Sequence, residues 1–219
     1  MTTSESTSFN MDIDEIITEA YERCGLEVRS GYDLKTARRS MNLMFSEWAN
    51  RGINLWLIEE RSKTLTASLA EYTLGTDLVD IMEAAITKSS KDYRIERISR
   101  AAYLSFTDKT STGRPTQFYL QRSVTPKIFF YPTPDSTSTY TFKFHALTRI
   151  QDAGDDYTND PEVPFRFLPC LISGLAYYIA MKFSPEKLPL LKQIYDEEWS
   201  RAAAEDRDSV SLHLVPGGN

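Results

Sequence analysis

The feature that most constrains this chain is a change of hydrophobic period, from helical to strand-like and back to helical. After Asp12, the residues Ile13, Ile16, Ile17, Ala20, Tyr21 and Cys24 recur at helical spacing, with Asp12 and Glu15 at capping-box separation and Gly25 placed to end the turn. A second helix is expected from near Asp33, with Leu34, Ala37, Met41, Met44, Phe45 and Trp48 on one face and Asn50-Arg51-Gly52 as its stop. Two amphipathic helices joined by a short loop form a helical hairpin.

From about Glu59 the period shortens. Lys63–Thr66, Glu71–Leu74, Ala84–Ser89, Thr116–Arg122, Lys127–Tyr131 and Tyr140–Leu147 are rich in Thr, Tyr, Phe and Ile and are separated by Gly, Pro, Asp and Ser. In Tyr140–Phe144 aromatics alternate with Thr and Lys, as a half-buried strand requires. Ser99–Ser105 has the pattern of a short helix capped by Ser99. An acidic connection follows, carrying Asp152, Asp155, Asp156, Asp160 and Glu162, and helical periodicity returns after Pro164.

The fourth long element is apolar on all sides: Leu168, Leu171, Ile172, Leu175, Ala176 and Ile179 on one face, Cys170, Tyr177, Tyr178 and Met181 elsewhere. Such a helix belongs in a core or an interface. Its uncharged run, Phe167 to Met181, is only 15 residues long and includes Pro169 and Gly174, short for a bilayer span, so no membrane contact is expected. A last helix beginning at Ser184-Pro185 carries Leu188, Leu191, Tyr195, Trp199 and Ala202.

Two separate helical hairpins would each have to bury an apolar face alone. The expected fold is therefore α+β: one bundle closed by N- and C-terminal helices (10–58 with 162–207), with a small antiparallel β-domain and the acidic loop inserted between them (59–161). A flexible arm, 1–9, and an extended tail, 208–219, complete the chain. The arm is Ser/Thr-rich and lacks the basic and apolar regions of a signal peptide.

Charge narrows the partners. The chain carries a formal −6, yet residues 88–127 hold nine Lys/Arg against three Asp/Glu, a net of +6 that leaves −12 for the rest. A net acidic chain is poorly suited to wrapping duplex DNA, where affinity comes from neutralised phosphates. The basic stretch reads as a solvated sheet face, as one side of a complementary contact between neighbouring subunits or partners, or as a DNA-binding stripe.

Chemistry is sparse. His145 and His213 are the two histidines, and no HExxH, GxSxG, Gly-rich phosphate loop or paired-cysteine spacing is present. Cys24 and Cys170 fall where core residues belong and read as buried thiols, in keeping with a reducing compartment. The acidic loop lacks the ligand spacing of an EF-hand. Glycan hydrolysis needs two carboxyls across a cleft, and nothing in the sequence selects a pair from 31 acids. No catalytic residue, cofactor or metal is assigned.

Aromatic residues are the better lead, because Tyr, Trp and Arg dominate protein interfaces. Candidate interface residues are Arg114, next to Pro115, Phe165 and Arg166 in Phe165-Arg166-Phe167, and Tyr177 and Tyr178 on the fourth helix. In the tail, Leu212, Leu214 and Val215 surround His213 in a pattern able to dock as an added strand. Twelve such residues reach roughly 40 Å when extended.

The order of several blocks is informative. Leu65-Thr-Ala-Ser-Leu-Ala-Glu-Tyr-Thr-Leu74 precedes Asp77-Leu-Val-Asp80, Gly113-Arg-Pro-Thr-Gln-Phe-Tyr119 and Ile128-Phe-Phe-Tyr-Pro-Thr-Pro134. Then come Arg149-Ile-Gln-Asp152, Val163-Pro-Phe-Arg-Phe-Leu-Pro-Cys-Leu171 and Gly174-Leu-Ala-Tyr-Tyr178. In this order the chain resembles the head-to-tail connector (adaptor) proteins of tailed phages and prophages, including those related to tail tubular protein A. The resemblance implies a structural virion protein of the neck, assembled in the host cytoplasm. It also implies a homo-oligomeric ring, twelve-fold to match the portal, between the portal protein and the tail or nozzle, with double-stranded DNA passing through. A ring needs head-to-tail contacts that close by rotation, and an acidic lumen lets DNA slide with little adhesion. The tail would then dock on the portal. Rival readings are a tail-associated peptidoglycan hydrolase and a DNA-binding packaging factor.

Overall fold

The computed structural model describes residues 5, 9, 11–52, 55–137 and 139–206, and the protein is α+β. It divides into two compact units, one from Met1–Leu55 with Ile150–Asn219, the other from Trp56–Arg149. The candidate tail residues Leu212, His213, Leu214 and Val215 lie outside the described residues.

In the helical unit, α1 (Ile13–Arg23) starts from a complete capping box: Glu15 N–H donates to Asp12 Oδ1 at 2.8 Å, and Asp12 N–H to Glu15 Oε2 at 3.4 Å. Gly25 follows at φ +70°, where the chain leaves the helix in the left-handed region. Helix α2 (Gly31–Arg51) begins two residues before Asp33, because Asp33 Oδ2 accepts from both the N–H and the hydroxyl of Ser30, each at 3.1 Å. Its buried face carries Ala37, Met41, Met44, Phe45 and Trp48.

The central member is the helix over Leu168–Phe183. It packs on α1, on α2 and on the final helix, Leu188–Glu205, and buries Cys170 through Ala176 without a break. Gly174 is required there: a Cβ would stand 2.5 Å from Met44 Sδ and 2.7 Å from the Tyr195 ring. Three 3-10 turns, Leu55–Leu57, Phe165–Phe167 and Pro185–Lys187, lead into the elements that follow them.

The acidic loop, expected with the β-domain, belongs to the helical unit. The reason is hydrogen bonding at the free amide end of α1: Ile13 N–H donates to Asn159 O at 3.1 Å and Asp14 N–H to Tyr157 O at 3.0 Å. Arg38 reaches Gly154 O at 2.8 Å and Asp155 at 2.6 Å, and Asn42 Oδ1 accepts from Ala153 N–H at 2.9 Å. Three of its carboxylates are spent on the loop itself, Asp152 on Gly154 N–H, Asp156 on Thr158 and Glu162 on Gln151 N–H.

The β-unit is a small sandwich. In chain order its strands are β1 (Ile58–Leu65), β2 (Glu71–Thr73), β3 (Leu78–Lys88), β4 (Lys91–Arg94), β5 (Glu96–Arg97), β6 (Thr112–Gly113), β7 (Gln117–Gln121), β8 (Lys127–Tyr131), β9 (Thr133–Pro134) and β10 (Tyr140–Thr148). One sheet runs β1-β10-β3-β4 and is antiparallel throughout. The other runs β2-β8-β7-β5, with β5 parallel to β7, and β6 and β9 form a short parallel pair.

The core lies between the sheets. Phe142 of β10 is fully buried against Phe118 of β7 and Phe130 of β8, with ring centroids 5.5 Å and 4.9 Å away. Tyr72, Leu78, Ile81, Ile86, Ile95, Leu120, Ile128, Tyr140 and Phe144 fill the remainder. The short helix α3 (Arg100–Ser105), capped by Ser99 Oγ accepting from Ala102 N–H at 3.1 Å, covers the outer face of the second sheet. Its Tyr103 meets Tyr119 and Phe129 at 5.8 Å and 5.5 Å, and Phe106 stacks on Tyr131 at 3.9 Å. With α3 in place, the helices Leu168–Phe183 and Leu188–Glu205 are α4 and α5.

Candidate assembly surfaces

The residues singled out from sequence do not converge on one site. Arg114 belongs to the β-unit, exposed, with its guanidinium 4.2 Å from the centre of the Tyr93 ring. Phe165, Arg166, Tyr177 and Tyr178 belong to the helical unit. Phe165 is 61% exposed, an unusual state for Phe, and its ring stacks on Phe9 at 6.0 Å. Arg166 forms an ion pair with Asp206, whose other oxygen accepts from Leu55 N–H at 2.9 Å, so it ties both ends of the unit together. Tyr177 and Tyr178 are half-buried, edge to face with each other, and Tyr177 stacks on Tyr195 at 6.1 Å.

Helical periodicity missed several exposed apolar side chains. Tyr32 and Leu43 stand on the solvent side of α2, Phe183 at the end of α4, and Leu190 on α5; Met181, already named among the apolar faces of the fourth helix, is exposed as well. Tyr32, Leu43 and Leu190 lie off the apolar stripes of their helices, so the period that finds core residues passed over them. Tyr32, Arg39 and Leu43, spaced by seven and four, share one face of α2. Lys182 of α4 lies against that helix, donating to Ser40 Oγ at 2.6 Å and Thr36 O at 3.3 Å. Desolvation, followed by the Arg39 charge, pulls its ammonium below the usual lysine range.

Beneath these surfaces is a hydrogen-bonded polar network. Trp48 Nε1–H donates to Tyr195 Oη at 2.8 Å, whose own hydroxyl donates to Glu47 Oε2 at 3.0 Å. Arg51 pairs with Glu47 and lies over the rings of Tyr195 and Trp199, at 4.6 Å and 4.8 Å. Burial drives the Tyr195 phenol far above its ordinary range, against opposing help from Trp48 and Arg51. The network is a packing device: none of its buried side-chain polar atoms is left without a hydrogen-bond partner.

The thiols are poor nucleophiles. Cys24 donates to Ala176 O at 3.2 Å, and burial pushes its thiol above the usual cysteine range despite the nearby Lys187 charge. Burial pushes the Cys170 thiol up to about 12. His145 belongs to the β-unit, whereas both cysteines belong to the helical unit. A colorimetric thiol reagent at pH 8 is expected to find almost no reactive cysteine in the native protein and two after denaturation; rapid native labelling would show that the packing around them is wrong. Among the described residues no group of three or more His, Cys, Asp or Glu is arranged to hold a metal ion, and no helix is long and apolar enough to cross a membrane.

Charge is distributed by unit. The β-unit holds thirteen Lys/Arg and ten Asp/Glu, a net of +3, and the helical unit holds twelve against twenty-one, a net of −9. Exposed aromatic side chains and opposite net charges on the two units are surface features of the kind protein contacts use. A family model described as SU10 adaptor protein matches residues 11–216, and the chain belongs to that family of phage structural adaptors. No curated protein matches the chain.

Proposed function

We propose that copies of this chain close head to tail into a ring between the portal and the tail, with the DNA passing through its centre. The observation that carries this reading is the division of charge between the units, +3 and −9, in a chain of an adaptor family. Opposite net charges on two parts of one subunit favour contacts between unlike surfaces, which is what a heterologous ring interface needs. The acidic excess also disfavours adhesion of duplex DNA in transit. Twelve copies would match the portal, as the family resemblance implies, and the neck of the virion is where such a ring works.

Phe165, with Phe9 beside it, is the strongest apolar anchor among the candidate interface residues, while Arg114 offers an exposed charge on the β-unit. Arg166, Tyr177 and Tyr178 support the surface from within the helical unit. The tail, residues 208–219, is assigned to portal docking on the alternation of Leu212, Leu214 and Val215 around His213.

The hydrolase alternative requires a carboxyl kept protonated near neutral pH. The carboxyls with displaced acidity run the other way. Asp77 is lowered first by its bond to Arg61, Asp92 by Thr87, Asp108 by Thr110, Asp135 by Thr137 and Asp156 by the Thr158 amide.

The test is to mix the full chain with the portal protein of its phage and weigh the product by mass photometry. A discrete oligomer on the portal is the expected result, and removal of residues 208–219 should weaken it. A chain that stays monomeric beside the portal would sink the adaptor reading. Clearing of a peptidoglycan gel by the purified protein would favour the hydrolase.

A further inference from the structure

We infer that the β4–β5 edge of the sandwich is the surface on which the acidic α1 face of a second copy docks. The inference rests on the adaptor reading and names the contact that would close the ring.

The edge is open on both sheets. Among the described residues strand β4 pairs only with β3, and β5 only with β7, so each leaves one side of its backbone without a partner strand there. The two strands are consecutive, joined through buried Ile95, which places both open edges on the same side of the sandwich. Five cations belong to this side. Arg97 and Arg122 share Asp80, at 2.8 Å and 3.7 Å. Lys91, Arg94 and Arg114 are exposed, and none has a carboxylate within ion-pair distance among the described residues. Arg114 is held in place over Tyr93, the central aromatic of β4.

Charges on an open edge block indiscriminate strand pairing. They leave it free for a partner of opposite sign. The molecule itself supplies one. The solvent side of α1 presents Asp14, Glu15, Glu19 and Glu22, and among the described residues only Glu19 is neutralised, by Arg23 at 2.9 Å. Duplex DNA fits the edge less well, because Asp92 and Glu96 alternate with the cations on the same strands and the chain as a whole is acidic. Because the basic edge and the acidic helix face are different surfaces of one subunit, their pairing is head to tail and extends from copy to copy.

Two charge-reversed variants test this. Arg94→Glu with Arg114→Glu makes the edge acidic, and Asp14→Lys with Glu22→Lys makes the α1 face basic. All four positions are exposed, and circular dichroism checks that each variant folds. Each variant alone, titrated by sedimentation velocity with and without portal protein at physiological salt, is expected to need at least about tenfold more protein to assemble than the wild type. Mixed one to one, they should recover assembly, because acidic edge then meets basic face and basic edge meets acidic face. No purely structural defect would be rescued by mixing.

Assembly of the edge variant at wild-type concentration overturns the inference, as does failure of two folded variants to rescue each other. Loss of salt-sensitive duplex DNA binding in the edge variant, with assembly unchanged, assigns the edge to nucleic acid and overturns it too. If the wild type itself never assembles on the portal, the adaptor reading falls and this contact falls with it; a wild-type ring indifferent to both variants removes the contact alone.

Discussion

Trp48→Ala is expected to cost the helical unit about 3–5 kcal/mol, read as a drop in the denaturant midpoint of the full chain. The indole is completely buried and meets Phe45, Phe167 and Trp199 with ring centroids 5.3–5.8 Å away. Its truncation removes the centre of that aromatic cluster and also deprives Tyr195 Oη of its donor. Tyr195→Phe isolates the polar part. It leaves the Trp48 N–H without its acceptor and Glu47 without the phenol donor, for about 1–3 kcal/mol. Because the two residues are in contact, the double variant should cost less than the sum. A Trp48→Ala loss below about 1 kcal/mol would mean that α2, α4 and α5 do not meet as described.

Phe142→Ala should be comparably damaging to the β-unit, again about 3–5 kcal/mol. Phe142 is the ring at which the sheets meet. It touches Phe118 and Phe130 of the second sheet and stacks on Phe144 of its own at 4.9 Å. A neighbouring substitution calibrates the claim: Lys143→Ala, at the next position of β10 on the outer face, removes only a 3.5 Å exposed ion pair with Asp92. It should cost well under about 1 kcal/mol. Equal effects at 142 and 143 would invert the inward and outward faces of β10. Far-UV circular dichroism through a urea titration gives both values.

The charged edge of the sandwich and the exposed apolar groups of the helical unit are what these cores hold in place. Neither core uses Arg94, Arg114, Asp14 or Glu22, so surface variants can change assembly without changing the fold. Stability and assembly are therefore separable by experiment.

What the sequence determined by itself is the order of helices and strands, because the burial period is a local property. The capping box at Asp12 and Glu15, the apolar stripe of α2, the all-round apolar α4 and the alternation of Tyr140, Phe142 and Phe144 each mark their element within a few residues. The α+β class follows from that order. Where local signals are weak or broken, the sequence was silent. The first half of β3 was invisible because two residues, Met82 and Glu83, lie opposite the single residue His145, and the resulting bulge breaks the alternation. Strands β4 and β5 were invisible because short, charged edge strands carry no apolar period.

Tertiary structure alone decided three things. It assigned the acidic loop to the helical unit, through long-range hydrogen bonds to α1 and α2 that no spacing encodes. It separated Phe165, left exposed, from Tyr177, packed on Tyr195, although both were plausible anchors by residue type. And it gathered Lys91, Arg94, Arg97, Arg114 and Arg122, spread over thirty-two positions, beside the open edges of two sheets. The change of period that marks this chain thus sets which segments become strands. Which strand edges stay open, and which charges stand beside them, depends on pairings between segments far apart in sequence.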